Sequence, residues 1–203
     1  MNTFEKGVSS YINQEALEKL QKFKIGIAGA GGLGSNVALC LVRSGLKNFK
    51  IYDFDIVSAS NLNRQFYFIS QIGKEKVNAL KDNLSMINPE LNFEAVCEKI
   101  TSHNVDDAFK DCDVVIEAFD KSEFKALICE KYYNSDKLLV AVSGLAGYGN
   151  SDNIVTRKIH DKFYIIGDFK TELSSDNPPL CPRVLVAAAK QADIVLEYLI
   201  NIA

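Results

Sequence analysis

Residues 24–53 constrain the fold more than any other stretch. Lys24-Ile25-Gly26-Ile27-Ala28 is a short apolar strand that runs directly into Gly29-Ala30-Gly31-Gly32-Leu33-Gly34. Ser35 to Ser44 then reads as an apolar helix with Val37, Ala38, Leu41 and Val42 on one broad face, and Gly45 stands where a helix-ending glycine is expected. Phe49-Lys50-Ile51-Tyr52-Asp53 is the next strand. Strand, glycine turn, helix and strand in succession make a βαβ unit.

The spaced glycines answer mechanical demands. Gly29 permits the tight turn, Gly31 lets a phosphate approach the backbone without a Cβ in the way, and Gly34 brings helix and strand close, with Gly32 as an additional glycine. The helix N-terminus offers free N–H groups and a positive partial charge to an anion. A glycine-rich turn alone also fits a purely structural role. Asp53 favours a nucleotide, because a carboxylate about 20 residues beyond the turn, at the end of the second strand, accepts hydrogen bonds from ribose hydroxyls.

The remaining chain continues the alternation. Asn13 to Lys22 reads as a short polar helix. Residues 54–72 are irregular and polar, and a helix over Gly73–Asn88 places Val77, Leu80, Leu84 and Ile87 at helical spacing before Pro89. Strands follow at 93–96 and 113–118, the second apolar on both faces as a buried parallel strand is. A helix over 123–133 and a strand over 138–142 come next. Residues 154–159 and 163–166 then suggest an antiparallel hairpin around His160-Asp161, and a final helix runs from Pro182 to about Ile202. The expectation is an α/β fold: a Rossmann-type, largely parallel sheet with helices on both faces and an antiparallel extension, in a single domain over 1–203.

Composition narrows the function. A chain of 203 residues, 47% of them apolar, buries one sizeable core. A net charge of −3 without a Lys/Arg run argues against nucleic-acid or membrane partners. No stretch reaches the roughly 18 apolar residues of a membrane span, and Met1 to Tyr11 has no apolar leader core, so a cytoplasmic protein is expected. Cys40, Cys97, Cys112, Cys129 and Cys181 include no C-x-x-C pair, which argues against disulfides and zinc.

Up to Asp53, a dinucleotide and ATP fit equally. The segment from Asp53 to Gln65 then departs from a dehydrogenase pattern: it is polar and carries Arg64 beside the ribose position. A triphosphate needs cations. Arg64 and Lys76 supply them, and Asp120, at the carboxyl end of a parallel strand, is placed to hold Mg²⁺.

These motifs (G-x-G-G-x-G, D-F-D-x-V-x-x-S-N-L-x-R-Q, a downstream G-x-x-K, and an Asp after the fourth strand) resemble the ThiF/MoeB family, relatives of the ubiquitin-activating enzymes, over about residues 20–145. The tail, with Ser143 to Gly149, Gly167-Asp168 and Pro182-Arg183-Val184, looks like the short ThiF subfamily of thiamine biosynthesis. The resemblance implies adenylation of the C-terminal carboxylate of a ubiquitin-like, ThiS-type sulfur carrier ending in Gly-Gly, with ATP as substrate, Mg²⁺ as cofactor and a homodimer as the working unit. It implies that Gly32 and its neighbours contact the phosphates, that Asp53 holds the ribose, that Asn61, Arg64 and Lys76 address the triphosphate, and that Asp120 binds Mg²⁺. Asp55 and Gln65 join the nucleotide-contact set. Against these stand plainer roles: Asn61 as a helix cap, Asp55 as a turn cap, Arg64 and Lys76 as surface charges. The attacking carboxyl, with an ordinary pKa of roughly 3.3–3.7, is already ionised, so no general base is required, and neither His103 nor His160 lies near a motif.

The sequence also departs from the family. The paired zinc ligands of larger relatives are missing, so no zinc is expected. Larger relatives extend an arginine-bearing N-terminal segment into a partner's site; Met1 to Phe23 contains no arginine, so that role is either vacant or filled by a lysine such as Lys6 or Lys22. Cys181 is the best-placed cysteine for a covalent link to the carrier, a packed loop cysteine being the other reading. Arg183 fits either a carrier contact or a structural ion pair. Competing functions are molybdopterin-directed MoeB-like activation, ATP-dependent tRNA dehydration, a dinucleotide-binding oxidoreductase and a non-catalytic half of a heterodimer, the last disfavoured because Arg64 and Lys76 are kept.

Overall fold

The structure, a computed structural model, describes residues 1–202. Helices α1 (Thr3–Ile12) and α2 (Gln14–Leu20) lead into β1 (Lys24–Ala28), α3 (Gly32–Arg43) and β2 (Asn48–Tyr52). After a segment containing two short 3-10 turns come α4 (Lys76–Ser85), β3 (Asn92–Val96), α5 (Val105–Ala108), β4 (Val114–Glu117), α6 (Ser122–Tyr132) and β5 (Leu138–Val142). The hairpin β6 (Val155–His160) and β7 (Phe163–Gly167) precedes the long helix α7 (Cys181–Ile202).

The seven strands run β3-β2-β1-β4-β5-β7-β6. Every pairing is parallel except β6 with β7. Hydrophobic residues on both sides of β1, β4 and β5 divide between two cores. One core joins Ile25, Ile27, Ile116 and Val140 to α3, α4 and α7; the other joins Val115, Leu139 and Ala141 to α5 and α6. Helices therefore cover both faces, as the apolar runs in the sequence require. The strand β6 forms an exposed edge, and β7 lies parallel to β5, so the antiparallel extension is a single strand.

Strand order reverses between β1 and β4: from β1 the chain builds outward to β2 and β3, then returns to β4 on the other side. In such sheets a crevice opens at the carboxyl ends of these two strands, where ligands bind.

Several element bounds differ from the sequence reading. Helix α1 was not expected. A capping box forms it: the Asn2 side chain accepts from the Glu5 N–H, and the Glu5 carboxylate accepts from the Asn2 N–H. Glu5 is buried, accepting from Gln21 and pairing with Lys47, and Asn2 donates to Asn88, which ties α1 to the amino-terminal ends of the strands. Helix α3 begins three residues early because Gly31 and Gly32 are already helix cap and first turn. Helix α4 spans Lys76–Ser85 rather than Gly73–Asn88: Gly73 takes φ +89°, and the Lys74 carbonyl accepts from Val57 instead of joining a helix. His160, at the end of β6, has its Nε2 2.8 Å from the Tyr133 carbonyl oxygen and its ring edge-on to Tyr133. No helix among the described residues is long and apolar enough to cross a membrane.

Candidate functional site

The glycine turn sits at the crevice and explains its own composition. Gly29 has φ +108°, and a Cβ there would come within 2.9 Å of the Ala118 carbonyl oxygen. A Cβ at Gly34 would lie 1.8 Å from the Gly29 oxygen, so only glycine lets α3 approach β1. Gly31 is different: its φ is ordinary, and a Cβ would meet nothing nearer than Gln65 Nε2 at 3.9 Å. The space above Gly31 is open, and the unpaired first-turn N–H groups of α3 face the crevice from its floor. Gly32 is closer-packed, with Val184 of α7 and the Arg64 stem against it.

Asp53, directly after β2, is buried beside this turn. One carboxylate oxygen accepts from the Ala30 N–H at 2.7 Å and the other from the Asp55 N–H at 2.8 Å. Burial pushes its carboxyl above the usual range, against the opposing pull of Lys76 and these two N–H groups. Lys76, the first residue of α4, is only 6% exposed, and its ammonium lies 2.7 Å from Asp55 Oδ2. Lys76 is therefore no surface charge. Asp55 is its partner, a role the sequence reading did not foresee.

Arg64 lies over the turn. Its guanidinium donates to the Ser60 carbonyl and, at 2.7 Å, to Asn63 Oδ1. Burial draws it below its ordinary value while the nearby Asp120 charge draws it back. Asp120, three residues beyond β4, is exposed and has no hydrogen bond or ion pair among the described residues. Gln65 Oε1 is buried without a partner, an acceptor awaiting a donor. Asn61 Oδ1 accepts from the Ser58 N–H at 3.0 Å and caps a 3-10 turn, which leaves the side-chain Nδ2 donors uncommitted among the described residues.

The structure therefore gathers Gly31, Gly32, Asp53, Arg64, Gln65, Lys76 and Asp120 around one crevice. It also adds residues the motifs did not mark. The Tyr67 hydroxyl donates to the Ala30 carbonyl at 2.7 Å, Asn36 donates to the Gly32 and Arg64 carbonyls, and Ser35 links the Gly31 carbonyl to the Phe66 N–H. These bonds fasten 60–67 onto the glycine turn. The apolar Phe66-Tyr67 pair inside a polar segment was the available signal for a buried anchor.

Other expectations resolve on geometry. Arg183 is 4% exposed; it pairs with Asp168 and donates to the Gly149 carbonyl at 2.7 Å, which makes it a structural ion-pair residue. Cys181 is a free, partly exposed thiol in the first turn of α7. Lys6 and Lys22 stand at the amino-terminal side of the sheet, about 16 Å of strand away from the crevice, so neither reaches the site of its own chain. A groove of about 550 Å³ at that far side, lined by Phe4, Val8, Tyr11, Leu196 and Ile200 among others, contains none of the residues singled out from the sequence. Among the described residues no group of three His, Cys, Asp or Glu side chains is arranged around a metal. Mg²⁺ needs no such cage, since it binds one or two carboxylates together with substrate phosphates and water, and the free Asp120 carboxylate fits that donor set.

Comparison with known proteins identifies the family and the fold. The chain is 31% identical over 156 residues to a probable molybdopterin-synthase adenylyltransferase of Gracilaria tenuistipitata var. liui, a match covering 75% of the chain and 44% of that protein. It is 32% identical over 148 residues to SUMO-activating enzyme subunit 2 of Dictyostelium discoideum, covering 72% of the chain and 22% of that protein. The chain thus spans less than half the length of either relative. Its fold matches the E. coli tRNA N6-threonylcarbamoyladenosine dehydratase TcdA, solved in complex with ATP, with a TM-score of 0.87 at 19% identity over 97% of this chain and 93% of that one. The ThiF family model matches residues 6–196, nearly the whole chain, and the protein belongs to the ThiF family.

Proposed function

We propose that the chain binds ATP across the switch point and transfers its AMP moiety to the C-terminal carboxylate of a ubiquitin-like sulfur-carrier protein, releasing pyrophosphate. One observation carries this reading: an open glycine turn, a guanidinium and an unpartnered carboxylate meet in one crevice, at Gly31, Arg64 and Asp120. A dinucleotide site calls for an arginine only where a 2′-phosphate is read and has no use for a metal-holding carboxylate beside its pyrophosphate. The names of the relatives, one an adenylyltransferase and one an activator of SUMO, support a protein carboxylate as acceptor. The resemblance of residues 143–149 and 182–184 to short ThiF proteins supports thiamine thiazole biosynthesis as the setting.

The chain's residues then divide the work. The α3 N–H groups cradle the phosphates. Asp53 retains lone pairs for ribose hydroxyls, and the orphaned Gln65 Oε1 accepts from the same nucleotide. Arg64 and Lys76 offset repulsion between the attacking carboxylate and the α-phosphate and stabilise charge growing on the leaving pyrophosphate. Asp120 would hold Mg²⁺, which when bound neutralises charge on the phosphates. The carboxylate is ionised at neutral pH, so no side chain has to remove a proton. A homodimer would bring the partner's Lys6 or Lys22 towards this crevice in the place of the family's missing arginine.

Mass spectrometry of a Gly-Gly-ending carrier incubated with the protein and MgATP tests the reaction directly: an acyl-adenylate mass shift is expected. The same assay with a threonylcarbamoyladenosine-bearing tRNA in place of the carrier tests the rival dehydration chemistry. Arg64→Ala and Lys76→Ala should each lower ATP–pyrophosphate exchange by about 10²-fold or more. Exchange near the wild-type rate in both variants would overturn the assignment.

A further inference from the structure

The residue with the freest carboxylate in the crevice, Asp120, stands on a turn held by a buried ion pair. Glu117 ends β4 and is 0% exposed. Its side chain points into the core shared with α6, where Lys125 Nζ donates to both carboxylate oxygens at 3.1 and 2.9 Å. The third Lys125 donor goes to the Val142 carbonyl at 3.1 Å. The ammonium is thereby saturated. Glu117 Oε1 also accepts from the Phe119 N–H at 2.7 Å, immediately before Asp120.

The turn 118–121 is consequently fixed from both sides. On the strand side, the Ala118 N–H makes the last rung to Ala28, and Glu117 takes the next N–H with its own side chain. On the helix side, the Lys121 carbonyl accepts from the Phe124 and Lys125 N–H groups. The side chains of the two ends, Glu117 and Lys125, are bonded to each other across the turn. Lys121 makes no side-chain cap, so no other side chain does this work at the start of α6. Gln191 of α7 adds a bond to the Glu117 carbonyl and holds the strand end in register.

We infer that Glu117 and Lys125 are positioning residues that clamp the turn 118–121 and so aim the Asp120 carboxylate at the nucleotide-bound metal. The metal rests on the function proposed above; the clamp does not. A pair that merely stabilised the fold would affect metal binding no differently whether or not Asp120 could ligate.

The test uses the double variant E117Q/K125M, which removes both charges together and leaves no unpaired buried ion, beside the milder E117D. Each is made alone and combined with D120N. Mn²⁺ binding to the ATP-loaded protein is read by electron paramagnetic resonance, metal-free ATP binding by titration, and amide hydrogen exchange at 118–121 by mass spectrometry. The clamp variants should weaken Mn²⁺ binding by about tenfold or more, as loss of a ligand's supporting partner does, with metal-free ATP affinity within about twofold of wild type. In the D120N background the same changes should shift Mn²⁺ binding by less than about twofold. Exchange at Phe119 should accelerate in E117Q/K125M. An undiminished effect in the D120N background, or folded variants with wild-type Mn²⁺ binding and wild-type protection at 118–121, would overturn the inference. If the wild-type protein bound no Mn²⁺ with ATP, the proposed function would fall, and hydrogen exchange at Phe119 would still decide the clamp.

Discussion

Alanine at Gly31 separates a ligand-binding turn from a merely structural one. With φ −79° and ψ −150°, Gly31 has a backbone any residue adopts, and a Cβ there approaches only Gln65 Nε2 at 3.9 Å. The protein itself should tolerate the methyl. As N-cap of α3, alanine gives up about 0.5–1 kcal/mol relative to glycine, and the stiffer unfolded chain returns about 0.4–1 kcal/mol. The net change stays within about 1 kcal/mol, or about 2–4 °C in Tm at this chain length. A phosphate resting on the turn meets the same methyl from the crevice side. Overpacking of this kind costs about 1–3 kcal/mol, a loss of about 5–150-fold in Kd. Gly34→Ala is the contrast: its Cβ would lie 1.8 Å from the Gly29 oxygen. Helix α3 would have to withdraw by about 1.5 Å to reach ordinary contact, so folding itself should fail or weaken severely. Thermal unfolding and titration with a fluorescent ATP analogue read both effects. Wild-type affinity in a stable Gly31→Ala protein would refute the phosphate site; a fall in Tm as large as that of Gly34→Ala would show that the turn is structural.

Three further outcomes follow from the site and its surroundings. Asp53 is raised by burial and restrained chiefly by Lys76, so the folded state holds its proton more tightly than the unfolded one; its contribution to stability falls as pH rises from about 3.9, the unfolded value, through the folded pKa, and is constant beyond. Lys76→Met should extend that decline to higher pH and Asp53→Asn should abolish it, as measured by Tm against pH; identical profiles for Lys76→Met and wild type would contradict the coupling. Asp168→Ala leaves the buried Arg183 guanidinium without its counter-charge and should cost about 3–5 kcal/mol in denaturant unfolding; a change below about 1 kcal/mol would mean the pair is not the anchor of α7. Cys181→Ser should keep ATP–pyrophosphate exchange within about twofold, since adenylation of an ionised carboxylate needs no thiol; a collapse of exchange would give the thiol a part in the first step.

Much of the fold was legible because its signals are local. The apolar runs of β1, β4 and β5 have to be buried on both faces, and the glycine spacing 29-31-34 admits one strand–turn–helix geometry. What the sequence could not show is pairing across long separations. Nothing local says that Lys76 closes on Asp55, that Glu117 clamps Lys125, or that α1 docks beside Asn88 through a capping box at Asn2 and Glu5. The start of α4 has a related cause: Lys74 and Glu75 are helix-compatible, but the Lys74 carbonyl and the Gly73 N–H are engaged by Val57, a partner far along the chain.

Residues 24–53 by themselves determined a βαβ unit around a tight glycine turn, since backbone sterics at Gly29 and Gly34 and alternation of apolar runs leave few options. The motifs named the charges of the site, and only the tertiary structure decided how they meet and which partners they take, Lys76 closing on Asp55. Arg64, Lys76 and Asp120 come from three separate segments, and the order β3-β2-β1-β4 brings them to one crevice. The same packing set Asn61 Oδ1 on the Ser58 N–H and paired Arg183 with Asp168. A charge's role depends on its burial and its nearest partner, and both are properties of the folded chain.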